Sequence, residues 1–483
     1  MFTSSLFSSR SLRPRSSWIL VCALLLSVHA AGQFEVRGTF LAQYGSSPLS
    51  IAVGDFNHDG ILDLAVVSYC CGPTGVSILL GRGDGTFEPS ITYPAGDQPF
   101  SVVAADFNHD GNLDLAVANS LSNYVSILLG NGDGTFRPGP QNPPLVQPAV
   151  FVAVGDFNAD GIPDLVTIED NGYCHCISVL LGNGDGTFQD AIVTQPSFVV
   201  QAIGIGDFNH DGKLDLATAG TFGFSSSVNI LLGNGDGTFQ YGASYPGGTL
   251  PANIAVTDLN GDHRPDLAIS NSEGGSISVL LGDGDGTFQP PVDYPTAFPS
   301  WVAVGDVNGD HIPDLIAANF DFSSGVSVLL GNGDGTFRPG VFYAGGIETS
   351  YVALGDFNGD RQADLAAADY LYGTVRIMLN TGIVSFLPTE PMNFKKQMVG
   401  TTSKRKSVTL TNAGAIELKI ASMKVTGAFS MTSTCGKTVA PGASCTITAT
   451  FTPTRKGEAL GTVTIIDSAS TRPQVIELMG TGT

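Results

Sequence analysis

Short runs of alternating apolar and polar residues fill most of the chain, divided by clusters of Gly, Asp and Asn. In the first group, SIAVG (50–54) leads into an acidic segment, LAVVS (64–68) follows, VSILL (76–80) comes next, and a GDGTF turn opens a fourth run. Period-two alternation bounded by turn residues predicts β-strands. The acidic segment DFNHDGILD at Asp55 returns in related form at Asp106, Asp156, Asp207, Asp258, Asp306 and Asp356, at spacings of 48 to 51 residues. Seven copies of a four-strand unit predict seven propeller blades, because a ring of such blades removes the open sheet edges that would otherwise aggregate. The seventh unit runs to VRIMLN (375–380), but its turn has decayed to TGIVSF (381–386), while a stray VRGTF (36–40) precedes the first acidic segment. The N-terminal run is therefore expected to supply the outer strand of the last blade.

A second group of alternating runs follows: KSVTLTNAG (406–414), LKIASMKVTGAF (418–429), SCTITATFTP (444–453), GTVTIIDSA (461–469) and PQVIELMGTG (473–482). Turn residues every ten or so positions indicate a β-sandwich of about ninety residues. The expected organisation is all-β: a seven-bladed β-propeller over residues 34–387, then an Ig-like β-sandwich over 388–483, with the boundary at the proline-flanked segment Pro388-Thr389-Glu390-Pro391.

Composition sharpens this picture. Charged residues are only 14% of the chain and Gly is 61 of 483, which suits turn-rich sheet. The formal net charge is −22 and unevenly spread: between residue 31 and Leu387 there are 8 basic and 39 acidic residues, whereas Pro388 to Thr483 carries 11 basic and 5 acidic ones. Nucleic acid is excluded as a partner of so acidic a ring, since that affinity rests on Lys and Arg neutralising phosphates. Residues 1–30 read as a secretory signal, with Arg10, Arg13 and Arg15, an apolar run from Trp18 to Val28, and a small-residue site at Val28-His29-Ala30. That run is shorter than the ~20 residues of a spanning helix, so the mature chain is expected to be secreted or held at the cell surface.

The acidic segments carry the candidate chemistry. Oxygen ligands at positions 1, 3, 5, 7 (through its carbonyl) and 9 suit a hard cation that takes six to eight oxygens, and Ca²⁺ is the fitting ion. The seven sets are Asp55, Asn57, Asp59, Ile61 and Asp63; Asp106, Asn108, Asp110, Asn112 and Asp114; Asp156, Asn158, Asp160, Ile162 and Asp164; Asp207, Asn209, Asp211, Lys213 and Asp215; Asp258, Asn260, Asp262, Arg264 and Asp266; Asp306, Asn308, Asp310, Ile312 and Asp314; and Asp356, Asn358, Asp360, Gln362 and Asp364. Up to seven calcium ions are expected. Asp and Asn also cap turns without any metal, but here 21 of the ring's 39 acids gather in threes, and such like charges repel unless a cation neutralises them. An EF-hand would need Glu at position 12, where the first unit has Val66. Position 6, the sharp turn, is Gly in the first four units but His263, His311 and Arg361 in the last three, whose glycine stands at position 4. The backbone path of those three stays open, and weaker binding is expected of them, since glycine at position 6 permits the sharp turn.

With these residues in view, the stretch from Phe34 to Leu387 resembles the FG-GAP (VCBS-type) repeats that build the integrin α-chain propeller. Its marks are the DxNxDGxxD loop, the LAVAN-type strand that follows, and LLGNGDGTF. The resemblance implies calcium loops joining the first and second strands of each blade, at the same Asp and Asn residues. It implies no single activity, since such propellers occur in adhesins, lectin-like proteins and some polysaccharide-acting enzymes. TLTNAG, PGASCTITATFTP and LMGTGT likewise make the C-terminal domain resemble the hydin-type immunoglobulin-like domains of bacterial surface proteins. Cys435 and Cys445 are expected to pair there, closing a loop worth on the order of 3 kcal/mol.

Other motifs weigh less. Asp-Gly between two β runs is above all a hairpin signal, so Asp84, Asp133, Asp185, Asp236, Asp285 and Asp334 are read as turn residues rather than ligands. Arg82-Gly83-Asp84 occupies the same slot. Cys70, Cys71, Cys174 and Cys176 suit an oxidising compartment with local pairing, and Cys174-His175-Cys176 is too short for a structural zinc site. The connections opposite the acidic loops carry Tyr69, Tyr124, Tyr173, Phe222, Phe224, Trp301, Phe320, Phe322, Tyr370 and Tyr372, suited to stacking on sugars or anchoring a partner. The expected function is a non-catalytic binding or adhesion module for an extracellular glycan or protein. The alternative is a polysaccharide lyase or hydrolase, which needs carboxylates in unlike environments, whereas nearly every distinctive Asp here belongs to a repeated loop.

Overall fold

The computed structural model describes residues 34–483 except 43–46, 70–74, 171–174, 223–224, 322–324, 344–345, 347, 381–383, 388–390, 413–416, 441 and 468–473. The expected leader and its cleavage site, the segment Pro388-Thr389-Glu390, and Cys70, Cys71, Cys174, Tyr173, Phe224 and Phe322 lie outside the described residues. No helix among them is long and apolar enough to cross a membrane.

Seven four-stranded antiparallel meanders form the first domain. Blade 1 consists of Ser47–Gly54, Asp63–Tyr69, Gly75–Leu79 and Ile91–Pro94. Blade 7 supplies Thr349–Gly355, Asp364–Asp369 and Thr374–Asn380, and its fourth strand is Phe34–Leu41, which pairs antiparallel with Thr374–Asn380. The N-terminal run thus closes the ring, as the stray VRGTF foretold. The second strand of each blade is buried over its whole length apart from terminal residues, because neighbouring blades cover both of its faces. This is why LAVVS and LAVAN read as nearly continuous apolar runs. Alternation along the strand then decides which neighbour each side chain meets. Leu64 and Val66 pack with Phe357, Ala366 and Ala368 of blade 7, while Ala65 and Val67 pack with Val102, Leu115 and Val117 of blade 2.

The expected boundary at Pro388 moves toward the N-terminus. Val384–Leu387 is not a worn fourth strand of blade 7 but pairs with Lys406–Asn412 in the second domain. The outer position of blade 7 is filled by the N-terminal strand, and Val384–Leu387 joins the sandwich instead. That domain has one sheet of four strands and one of five, with Val408, Leu410, Ile447, Phe451, Val463, Ile465 and Leu478 in the core between them. Cys435 and Cys445 form a disulfide.

Five of the six GDGTF turns stitch their blade to the acidic loop of the preceding blade by a backbone hydrogen bond. Gly134 N donates to the Phe56 carbonyl at 2.9 Å, Gly186 to Phe107, Gly237 to Phe157 and Gly286 to Phe208. Gly85 of blade 1 donates to Phe357 of blade 7 at 2.9 Å, carrying the same stitch across the closure. Blade 7 has no GDGTF turn to offer blade 6. There Asn380 stands where the other blades have Gly, and its side-chain Nδ2 donates to the Val307 carbonyl at 2.7 Å and to Ala363 O at 3.2 Å. The side chain thus ties blade 7 to blade 6. Asn380→Gly, although it restores the residue of the other six blades, should lower unfolding free energy by about 1–3 kcal/mol by removing two side-chain hydrogen bonds to backbone carbonyls. Denaturant melts check this, and a variant as stable as the parent would overturn the assignment of the seam.

Candidate acidic-loop metal sites

Each acidic segment spans the eight residues between the first and second strands of its blade, and the ninth position begins the second strand. All seven loops share one backbone path. Positions 4 and 6 both lie in the left-handed region: His58 (φ 59°) and Gly60 (φ 78°) in the first loop, Gly261 (φ 78°) and His263 (φ 65°) in the fifth, Gly359 (φ 75°) and Arg361 (φ 68°) in the seventh. The last three loops, whose path the sequence left open, therefore follow the first four. The path needs two left-handed residues, glycine eases one of them, and either position serves. A ranking of the loops by the place of their glycine loses its basis.

The side-chain oxygens of the loop are turned onto its own amides. Asp55 accepts from Asp59 N through Oδ1 (3.2 Å) and from Gly60 N through Oδ2 (2.9 Å), Asn57 Oδ1 accepts from Asp59 N, and Asp59 Oδ1 accepts from Ile61 N. The first two bonds recur in every loop, as at Asp306 with Asp310 N (3.2 Å) and His311 N (2.8 Å). Among the described residues no three Asp, Glu, His or Cys side chains converge as a group that could hold a metal ion. The donor set nonetheless fits calcium: three carboxylates, an amide oxygen and a backbone carbonyl, all hard oxygens on one short loop.

Position 9 has a further task that the sequence did not reveal. Asp63 is fully buried, and its two oxygens accept from Phe56 N (2.9 Å) and Gly81 N (2.7 Å). The same pair of bonds recurs at Asp114, Asp164, Asp215, Asp266, Asp314 and Asp364, the last using Asn380 N for the second. The carboxylate ties the loop to the end of the third strand. The readable signal was the Gly that follows LL at nearly fixed distance, which must present a bare N–H. Burial pushes Asp63, Asp114, Asp164 and Asp266 up to about 6, against the lowering effect of the amide bonds, and the neighbouring carboxylates at positions 5 and 1 add to the rise. Asp314 and Asp364 reach about 7 from the same causes, and Asp215 is raised too.

The GDGTF turns are hairpins. Asp84 Oδ1 accepts from Thr86 N (3.0 Å) and Thr86 Oγ1 (2.6 Å), and these bonds recur at Asp133, Asp185, Asp236, Asp285 and Asp334. Arg82-Gly83-Asp84 is held in this turn, with Arg37 of the closing strand donating to the Asp84 carbonyl at 3.2 Å. At the opposite end of the blades, Tyr69 ends a second strand, Tyr124, Phe320, Tyr370 and Tyr372 lie in connections, and Phe222 closes the second strand of blade 4. Trp301, expected in a connection, instead lies in the first strand of blade 6 and stacks on Tyr351 of blade 7, ring centroids 4.1 Å apart. His175 begins a strand and approaches Asp170, Nδ1 to Oδ1 3.2 Å.

Two expectations follow. In calcium-free protein the position-9 carboxyls hold protons that the unfolded chain, titrating near about 4, has already released, so stability falls as pH rises from about 4 to 7. Thermal midpoints of calcium-stripped protein should be higher at pH 5 than at pH 8, and the reverse order would contradict the burial of these groups. Asp114→Ala should cost about 2–4 kcal/mol in chelator as well as in calcium, since it removes two buried bonds to a carboxylate. A loss seen only in calcium would reduce position 9 to a ligand.

The FG-GAP-like repeat family matches residues 67–117, 106–167, 156–218, 207–269, 258–317 and 306–367. The family described as Abnormal spindle-like microcephaly-assoc'd, ASPM-SPD-2-Hydin (ASH) matches 383–475, which takes in the strand Val384–Leu387. None of the curated proteins matches the chain. Among solved structures, it is similar to a protein from Lactobacillus plantarum at 15% identity, over 60% of this chain and 83% of that one, with a TM-score of 0.45. The V. cholerae biofilm matrix protein Bap1 is similar at 13% identity, over 72% and 91% of the respective chains, with a TM-score of 0.39. The Dos1 propeller is similar at 9% identity, over 71% and 94%, with a TM-score of 0.44. Repeats that match over more than half of its length, arranged as blades of one ring, place this chain in the FG-GAP-like repeat family, with an ASH domain at its C-terminal end.

Proposed function

We propose that the protein is an exported, calcium-stabilised binding module that takes an extracellular glycan or protein on the propeller face opposite its acidic loops. The observation that carries this reading is the contrast between the two ends of the blades. In an antiparallel meander the first and third connections share one end. Here the first connection is eight residues long in all seven blades, and the third carries the GDGTF turn in six. That end is uniform and engaged in fastening the ring. The connections between second and third strands run from two to six residues and share no motif. Selectivity is a difference of contacts, and such differences are concentrated there. Phe298 and Tyr372 stand on this face 52% and 58% exposed, and Phe320 meets Tyr370 across blades 6 and 7 with ring centroids 5.3 Å apart. Exposed rings beside acidic residues such as Glu348 favour an uncharged sugar or an apolar-basic protein patch over an anionic polymer.

Calcium in the acidic loops would supply the positive charge that three carboxylates lack. At 100 times its dissociation constant it adds about 2.7 kcal/mol per site, so melts in calcium and in chelator should separate clearly. Coincident curves would remove calcium from this proposal. For the binding face, a panel of neutral and acidic polysaccharides and of whole cells provides the probe. Phe298→Ser combined with Tyr372→Ser should abolish any retention found, while Asn131→Ala combined with Asn332→Ala at the GDGTF end should preserve it. The opposite result, in folded variants, would exchange the two faces.

A further inference from the structure

The seventh position of the acidic loop differs from blade to blade in a way the geometry makes consequential. Its side chain lies over the first glycine of the same blade's GDG turn. A Cβ on Gly83 would stand 3.1 Å from Ile61 Cδ1, and one on Gly333 would stand 3.2 Å from Ile312 Cδ1. In blades 4 and 5 the aliphatic stems of Lys213 and Arg264 take this place, 3.1 Å from a Cβ on Gly235 and 3.0 Å from one on Gly284. A stem so held carries its charged end back to the loop. Lys213 Nζ lies 3.8 Å from Asp211 Oδ2, and Arg264 Nη1 lies 3.9 Å from Asp262 Oδ2, in each case the carboxylate of position 5.

We infer that Lys213 and Arg264 are tethered counter-cations that partly neutralise the loops of blades 4 and 5, so that these two loops take up calcium last. The inference rests on the calcium reading above and divides the seven loops by charge rather than by glycine. Both ends are about half exposed, so the ion pairs alone are weak. A divalent ion entering the same carboxylate, however, must displace the fixed cation or lie within a few ångströms of it, and the repulsion weakens binding roughly fivefold to tenfold in water. Loops 1, 3 and 6, with Ile at this position, and loops 2 and 7, with Asn112 and Gln362, carry no such charge.

Calcium titration calorimetry on the full mature chain, backed by melting curves, tests this. The parent should show a weaker class of two sites. Lys213→Gln combined with Arg264→Gln should strengthen that class about tenfold at low salt, and less at high salt. Ile61→Lys, which keeps a stem over Gly83, should move one site into the weak class. Melting supplies a readout of opposite sign: the double variant should melt lower than the parent in chelator, where Asp211 and Asp262 lose the paired Lys213 and Arg264, and higher in saturating calcium. Calcium uptake with an isotherm unchanged by all three substitutions would overturn the inference and leave the calcium reading standing. No calcium uptake by the parent would overturn both.

Discussion

The ring depends on a carboxylate placed where a carboxylate is costly. Asp63 and its six counterparts are fully buried at the start of a strand that is covered on both faces. A charge so placed persists because both of its oxygens accept backbone amides, one from the loop and one from the end of the third strand. Those bonds hold the chain's reversal in one shape, and the rest of the loop inherits it. With the ninth position anchored, the first, third and fifth can turn their oxygens onto the loop's own amides and bring three like charges within a few residues. The second position is left with a carbonyl aimed at the next blade, where a GDGTF turn meets it. One buried charge thus sets the loop, the seam and the crowding of acids at one end of the blade.

Much of this was legible in the sequence because the repeat multiplies every signal by seven. Blade number, closure by the N-terminal run, the Cys435–Cys445 pair and the hairpin nature of GDGTF could be read from spacing and turn chemistry. What could not be read depends on conformation that leaves no letter behind. Two positions of each loop are left-handed, and a sequence shows only which of them holds glycine, so the path of the last three loops could not be read. The strand Val384–Leu387 looked like the end of blade 7 because its neighbours in sequence are there, whereas pairing is decided by which edge is vacant. Trp301 was grouped with the loop aromatics, yet it lies inside the strand Pro299–Gly305.

The departures from the repeat are informative because they come with compensation. The residue five places after the position-9 aspartate is buried Asn in blades 2, 5 and 6: Nδ2 donates to Ser126 Oγ and Ser278 Oγ in blades 2 and 5, and in blade 6 the side-chain oxygen of Asn319 accepts from Ser327 Oγ. In blade 7 that residue is Asp369, and the third strand carries Arg376 where those blades carry serine, Nη2 to Oδ2 3.3 Å. In blade 3 it is Glu169, whose longer side chain accepts from Ser178 and, at 2.6 Å, from Gln147 N of the incoming connection. Asn380 belongs to the same pattern, an added side chain where a turn is lost. A polar group buried in a ring of stacked sheets must find a partner within reach, so a change at one position is tolerated only with a change at its neighbour. The acidic loops are the exception. Their ends face solvent, where an unmatched charge is inexpensive, and there Lys213, Arg264 and the three isoleucines have been free to differ. Repetition is strictest at the fully buried position-9 aspartates and the loops they anchor, and the blades differ most at the end opposite those loops.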